Sequence, residues 1–106
     1  MLMKFPGGVL KALTLSYDDG VCYDRKLIEI MRKHGLKGTF NVNSGSFAEK
    51  SGERKMTAEE TKQLYEENGM EVALHGLYHR HLEDLHAPVM CYEVMKDREN
   101  LEALFG

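Results

Sequence analysis

The clearest indication of the fold is the segment LKALTLSYDDG, which runs from Leu10 to Gly20. Apolar and polar residues alternate from Leu13 to Tyr17, so that Leu13, Leu15 and Tyr17 share one face. This two-residue period predicts a β-strand from Leu10 to Tyr17. Two adjacent aspartates and a glycine follow, and together they are a strong signal for a turn at the end of the strand.

Two further strands are expected downstream. The run Gly38–Asn43 is short and rich in β-prone residues, and the run Met70–Leu74 is a short, largely apolar segment bounded by glycines. Both patterns are typical of strands. A polar loop over residues 44–56 and a histidine-rich loop over residues 75–86 separate these strands from the segments that follow them.

Three helices are expected to alternate with the strands. Asp24 is a good N-cap for the first, and Gly35 suits its C-terminal end. Thr57 and Glu60 have the spacing of a capping box for the second helix, and Pro88 suits the first turn of the third. The predicted apolar side of the first helix comprises Leu27, Ile28 and Met31. That of the third helix comprises Cys91, Val94, Met95, Leu101, Leu104 and Phe105.

Three successive βα units with short connections predict an α/β fold with a parallel sheet. A parallel sheet needs cover on both faces, and three strands leave it unfinished. We therefore expect the chain to be the first part of a larger fold, or to complete itself by self-association. Apolar surface at the unclosed edges favours a homo-oligomer.

The composition is that of one globular domain spanning residues 1–106. Hydrophobic residues make up 42% of the chain, enough to form a core, and the net charge of −3 gives no basic surface for nucleic acid or an anionic membrane. No apolar run approaches the ~20 residues of a membrane span. The N-terminus lacks a secretory pattern, and Cys22 and Cys91 form neither a disulfide framework nor a metal-type pair. We expect a cytoplasmic protein that binds neither nucleic acid nor membranes.

Four chemically capable side chains fall at the carboxyl ends of predicted strands, where α/β proteins place their sites. Asp18 and Asp19 end the first strand, His75 ends the third, and His79 follows in the next loop. The aspartate pair alone is more often a simple turn, and the histidine pair alone is a weak signal. Together, one carboxylate and two imidazoles are a recurrent ligand set for a catalytic divalent metal, and the second carboxylate is then free to act as a base.

Three segments resemble the polysaccharide deacetylases, the family with the NodB homology domain. TLSYDDG (residues 14–20) is similar to the family's first motif, T-F-D-D-G. HGLYH (residues 75–79) is similar to its second motif, H-[ST]-x-x-H-P. KGTFNV (residues 37–42) is similar to the family's second strand, usually A-T-F-F-V. The resemblance covers nearly all of the chain in the family's order and spacing.

The resemblance implies a fold, an activity and a site. The family's fold is a distorted (β/α) barrel of about seven strands, of which this chain would supply the N-terminal three βα units. The implied activity is metal-dependent hydrolysis of N-acetyl or O-acetyl groups on a carbohydrate, or of a related non-peptide C–N bond in a small amide. Asp18 would be the general base, and Asp19, His75 and His79 would bind the metal. Zinc is the first choice, with cobalt, nickel, manganese or iron also compatible.

Departures from the family pattern keep other interpretations open. Gly76 replaces the usual Ser or Thr, and Arg80 replaces the usual Pro, which predicts a less rigid loop and a different substrate rim. The family's later motifs, an Arg-Pro segment and a strand with a second catalytic histidine, have no counterpart before Gly106. A non-catalytic metal-binding or interaction module is therefore the alternative. A receiver-like domain also places acidic residues after its first strand, but it needs an aspartate where this chain has His75.

Three polar residues near the predicted site have weaker signals. Asn43 lies at the end of the second strand and is a candidate for substrate contact. His81 and His86 follow the second motif, but flexible loop histidines are more often solvated than catalytic. No residue of the chain is a strong candidate for the general acid.

Overall fold

A three-stranded parallel sheet lies at the centre of the molecule. The structure is a computed structural model that describes residues 4–106. Residues 1–3, part of the N-terminal stretch expected to lack a secretory pattern, lie outside the described residues. The strands are β1 (Ser16–Asp18), β2 (Thr39–Val42) and β3 (Glu71–Leu74), and they are hydrogen-bonded in the order β1-β2-β3. The predicted α/β architecture with a parallel sheet is confirmed.

Three α-helices alternate with the strands, as the sequence predicts. They are α1 (Asp24–Lys33), α2 (Ala58–Glu67) and α3 (Ala87–Phe105). The helix α1 ends where Gly35 takes up a left-handed φ of 66°, which a residue without a Cβ adopts easily. No helix within residues 4–106 combines the length and the apolar character that a bilayer crossing requires.

The core lies between the sheet and the helices. Phe40 of β2 stacks against Tyr17 on one side and Tyr65 of α2 on the other, with ring centroids 5.6 and 4.8 Å apart. The predicted apolar side of α1 is confirmed, because Ile28 and Met31 are both buried. The main cluster of buried core residues comprises Ile28, Met31, Phe40, Val42, Met56, Tyr65, Met70 and Leu101.

The first strand is much shorter than predicted. It begins at Ser16, and the side chains of Leu10 and Leu13 are 70% and 71% exposed. The cause is the neighbouring strand, which begins at Thr39 opposite Ser16. On the N-terminal side of this pair, the Thr39 amide still donates to the Leu15 carbonyl at 2.9 Å. Alternation alone does not make a strand where no backbone partner is available.

The inward side of α3 also differs from the prediction. Cys91 and Met95, placed on the apolar side by their spacing, are exposed. The buried residues are Glu93, Asp97 and Leu101, which follow one another at intervals of four. Two carboxylates face inward because they accept hydrogen bonds from backbone amides of other segments, a partnership that an apolar periodicity cannot reveal.

Large apolar side chains are exposed, as the unclosed sheet predicts. Besides Leu10 and Leu13, Tyr92 and Met95 of α3 are more than half exposed. Such surface favours association. The homo-oligomer stays a prediction.

The predicted capping box of α2 is present and generates a stability prediction. The Glu60 amide donates to Thr57 Oγ1 at 3.2 Å, and the Thr57 amide donates to Glu60 Oε2 at 3.0 Å. We expect Thr57→Ala to lower the free energy of unfolding by about 1 kcal/mol, because it leaves a helix amide without its partner. Thr57→Ser keeps the hydroxyl and serves as the control. Chemical denaturation showing equal stability for Thr57→Ala and the wild type would contradict this role.

Candidate functional site

The register of the sheet brings the ends of β1 and β3 to one edge. Asp18 lies opposite Asn41, and Val42 lies opposite Leu74. The backbone continues this pairing one step further, because the Asp19 amide donates to the Asn41 carbonyl at 2.9 Å. The His75 amide lies 3.1 Å from the Val42 carbonyl. Asp19 and His75, far apart in the sequence, therefore leave the sheet at the same edge, on either side of β2.

Asp19, His75 and His79 converge at this edge. Asp19 Oδ1 lies 3.5 Å from His79 Nε2 and 3.8 Å from His75 Nε2. One potential ligand atom from each residue lies within 4.8 Å of the others. The two imidazole rings meet edge to face, with centroids 4.7 Å apart. The structure thus brings together the three residues predicted as metal ligands, and their role as ligands stays a prediction.

The donor set fits a divalent cation. His75 Nε2 is buried and has no hydrogen-bond partner within residues 4–106, although a buried polar atom left unpaired costs about 1–3 kcal/mol. Tetrahedral ligands about 2.1 Å from zinc lie about 3.4 Å from one another. The observed 3.5 and 3.8 Å separations from Asp19 are close to that spacing. Small movements of these side chains would accommodate an ion.

Two of the three side chains are carried by left-handed backbone. Asp19 has a φ of 79° and His79 a φ of 56°. This conformation is uncommon for residues with a Cβ and persists only where the surroundings hold it. At Asp19 it is held by the amide bond to Asn41 and by Lys55, whose Nζ donates to the Asp19 carbonyl. Strained backbone of this kind concentrates at functional sites.

Asp18 has a different environment from its neighbour. It is exposed, and its Oδ1 accepts a 2.8 Å hydrogen bond from Asn41 Nδ2. Asn41 Nδ2 also lies 2.8 Å from Ser16 Oγ. Asp18 is outside the cluster formed by Asp19 and the histidines. Sequence reasoning missed Asn41, because its position opposite Asp18 depends on the register of the strands.

A buried acidic pair, Glu93 and Asp97 of α3, contacts the histidine loop. Both side chains are almost fully buried, with 1% and 0% residual exposure. Asp97 Oδ2 accepts from the His75 amide at 2.9 Å, and Glu93 Oε2 accepts from the Tyr78 amide at 3.0 Å. The sequence signal for this pair is its spacing of four residues, which places two carboxylates on one side of a helix.

Asn43 does not have the predicted role. Its side chain is buried at 2% exposure, and its Nδ2 donates to the carbonyls of His75 and Gly76 at 2.7 and 2.8 Å. The prediction of substrate contact is wrong, because the hydrogen-bonding demand of the adjacent loop turns the amide inward. Asn43 instead fixes the backbone next to His75.

Arg80 stands where the family usually has proline, and this replacement predicts a less rigid loop. In the structure, Arg80 instead holds the loop in place through its side-chain contacts. Its Nε lies 3.4 Å from Glu93 Oε1, and its guanidinium carbon lies 5.7 Å from the centre of the Tyr78 ring. An ion pair and an aromatic contact thus restrain the residue that follows His79. An open cleft of about 410 Å³ borders His75, His79 and Arg80.

A buried hydrogen bond joins α1 to α2. Tyr65 Oη donates to Asp24 Oδ2 at 2.6 Å, and Asp24 is only 4% exposed. Burial raises the pKa of Asp24 above its usual value, and the bond from Tyr65 partly offsets that rise. The predicted N-cap role of Asp24 is wrong, because Tyr23 holds that position and Asp24 is the first helical residue. The Asp24 side chain is buried and accepts the hydrogen bond from Tyr65 instead.

The raised pKa of Asp24 generates a prediction about stability and pH. The folded state binds the proton more tightly than the unfolded state, so this residue lowers stability as pH rises from its usual pKa of 3.8 through its folded value. We expect Asp24→Asn, which can still accept from Tyr65, to raise the melting temperature at pH 7. The gain should shrink as the pH is lowered toward 4. A gain that is independent of pH would contradict the assignment.

Comparisons with known proteins give a family from the sequence and a matching fold from a solved structure. A family model described as polysaccharide deacetylase matches residues 9–106. Among solved structures, the Streptococcus pyogenes deacetylase PplD in complex with acetate superposes with a TM-score of 0.79 at 24% sequence identity. The match covers 90% of this chain and 42% of that protein, so the chain spans less than half the length of its structural relative. No curated protein sequence matches the chain.

Proposed function

The chain belongs to the polysaccharide deacetylase family, and on that premise we propose that it supplies the metal-binding and base-bearing part of a hydrolase that removes acetyl groups from carbohydrates. A related non-peptide C–N bond in a small amide is chemically equivalent as a substrate. The proposal rests above all on one observation, the convergence of Asp19, His75 and His79 within 4.8 Å.

These three residues are the proposed ligands of a divalent cation. One carboxylate and two imidazoles leave coordination positions open, which is typical of catalytic rather than structural metal sites. Zinc suits this donor set best, and cobalt, nickel, manganese and iron also accept it. When bound, such a cation supplies Lewis acidity that lowers the pKa of water and polarises an acetyl carbonyl.

Asp18 is the proposed general base. Asn41 engages Asp18 Oδ1, and we assign the other carboxylate oxygen to the proton of the attacking water. The exposure of Asp18 leaves it accessible from the edge of the sheet. A positioned base of this kind contributes about 10²–10⁴-fold to the rate.

The general acid for the leaving amine has no assignment within residues 4–106. His81 is 80% exposed and lies 3.5 Å from Glu83, which is also exposed. His81 is not among the clustered residues. In the family, a second catalytic histidine lies on a later strand and is the candidate for this role.

A non-catalytic metal-binding module is the second candidate. It is favoured by the coverage of the structural match, because the chain accounts for only 42% of the matched deacetylase. The two candidates share the metal site and differ in turnover. Acetate release from an acetylated sugar by the 106-residue chain would decide for the enzyme.

Metal binding tests the ligand assignment. We expect Asp19→Ala and His79→Ala each to abolish stoichiometric zinc binding in isothermal titration calorimetry, because each removes one of three donors. His81→Ala is the matched control, since it removes an imidazole from the same loop outside the cluster. Undiminished zinc binding in both ligand variants would refute the proposed site.

Separating base from ligand gives a second test. We expect Asp18→Asn to bind zinc as tightly as the wild type and to lose about 10²–10⁴-fold in acetate release, because an amide cannot take the proton. Turnover is followed as acetate released from an acetylated sugar, with zinc affinity measured on the same sample. Loss of zinc binding in Asp18→Asn would instead place Asp18 among the ligands.

A further inference from the structure

We propose that the buried acidic pair, Glu93 and Asp97, are positioning residues that hold the histidine loop in the conformation that directs His75 and His79 at Asp19. The inference rests on the proposed function, because it takes the two histidines as metal ligands. Glu93 and Asp97 themselves would touch neither metal nor substrate, yet the metal affinity of the site would depend on these two carboxylates of α3.

Asp97 connects the ends of two strands. Its Oδ1 accepts from the Ser44 amide at 2.7 Å, and its Oδ2 accepts from the His75 amide at 2.9 Å. Ser44 follows β2 and His75 follows β3. One fully buried carboxylate therefore sets the position at which His75 leaves the sheet.

Glu93 holds the loop on both sides of His79. Its backbone carbonyl accepts from the Leu77 amide at 3.0 Å, and its Oε2 accepts from the Tyr78 amide at 3.0 Å. Its Oε1 lies 3.4 Å from Arg80 Nε. The residues immediately before and after His79 are thus both attached to the same side chain.

This attachment accounts for the left-handed backbone of His79. A φ of 56° is unfavourable for a residue with a Cβ. Without Glu93, the loop would be free to relax toward negative φ, which would turn the imidazole away from Asp19. The ion pair of Arg80 with Glu93 supplies the restraint that proline gives at this position in the family.

The chemistry of the pair favours positioning over simple packing. Burying a carboxylate is costly unless hydrogen bonds compensate, and apolar residues would fill the same space at lower cost. An apolar side chain, however, cannot accept hydrogen bonds from backbone amides. Each carboxylate accepts the amide of a different loop residue, so the pair fixes backbone geometry in a way that Leu or Met would not.

Conservative variants of the pair test the inference. Asp97→Asn and Glu93→Gln keep size and shape but replace one acceptor oxygen with an NH2 group. That group opposes a backbone amide at position 97, and either the Tyr78 amide or the Arg80 guanidinium at position 93. Glu99→Gln is the matched control on the exposed side of the same helix, where Glu99 is 63% exposed. Ile28→Val, a truncation in the core, controls for lost stability that is unrelated to the loop.

Zinc affinity is measured by competition with a chromophoric chelator, at a temperature where circular dichroism shows every variant to be folded. We expect roughly a 10- to 100-fold loss of affinity in Asp97→Asn and Glu93→Gln, the range found for residues that orient metal ligands. Glu99→Gln and Ile28→Val should bind as the wild type does. Affinity within about twofold of wild type in both folded pair variants, or an equal loss in Ile28→Val, would overturn the proposal.

Amide hydrogen exchange in the metal-free protein supplies a readout that needs neither metal nor activity. The amides of Ser44 and Tyr78, whose acceptors are Asp97 and Glu93, should be protected in the wild type, and that protection should fall in Asp97→Asn and Glu93→Gln, respectively. Fast exchange of both amides in the wild type would overturn the proposal even if no variant folds.

If Asp19→Ala retains zinc affinity, the ligand assignment fails. If it loses affinity while Asp97→Asn does not, only this inference fails.

Discussion

The backbone hydrogen bonds that align the three parallel strands are the constraint on which the candidate site depends. They place Asp18 opposite Asn41 and Leu74 opposite Val42, so that the residues after β1 and β3 leave the sheet at the same edge. Successive side chains of a strand point to opposite faces, so a slip of one residue would exchange the environments of Asp18 and Asp19. The register therefore determines which aspartate meets the histidines.

Backbone strain and its restraints are concentrated at the same edge. Asp19 and His79 both have left-handed φ values, and each is held by contacts from another part of the chain. Lys55 and Asn41 hold the first, and Glu93 holds the residues around the second. The candidate site thus consists of two strained turns, each restrained by residues from another segment of the chain. Such restraint keeps functional side chains in one geometry before a ligand binds.

Acidic residues of this chain serve two separate purposes. Asp24, Glu93 and Asp97 are buried and accept hydrogen bonds from Tyr65 or from backbone amides. Asp18 and Asp19 lie at the accessible edge of the sheet, one beside Asn41 and one beside the histidines. Glu93 and Asp97 hold the backbone of the loop that carries the histidines. The number of carboxylates alone would therefore not distinguish those that support the backbone from those at the accessible edge.

Local sequence patterns were enough to predict the alternation of strands and helices, the capping box at Thr57 and the segments that carry the aspartates and histidines, because each of these depends on residues close together in the chain. The start of β1, the inward side of α3 and the contacts of Asn43 could be seen only in the folded structure. These features depend on hydrogen-bond partners that come from distant segments. A periodicity of apolar residues reports local preference, whereas the need to pair buried amides and carboxylates is satisfied only in the folded chain.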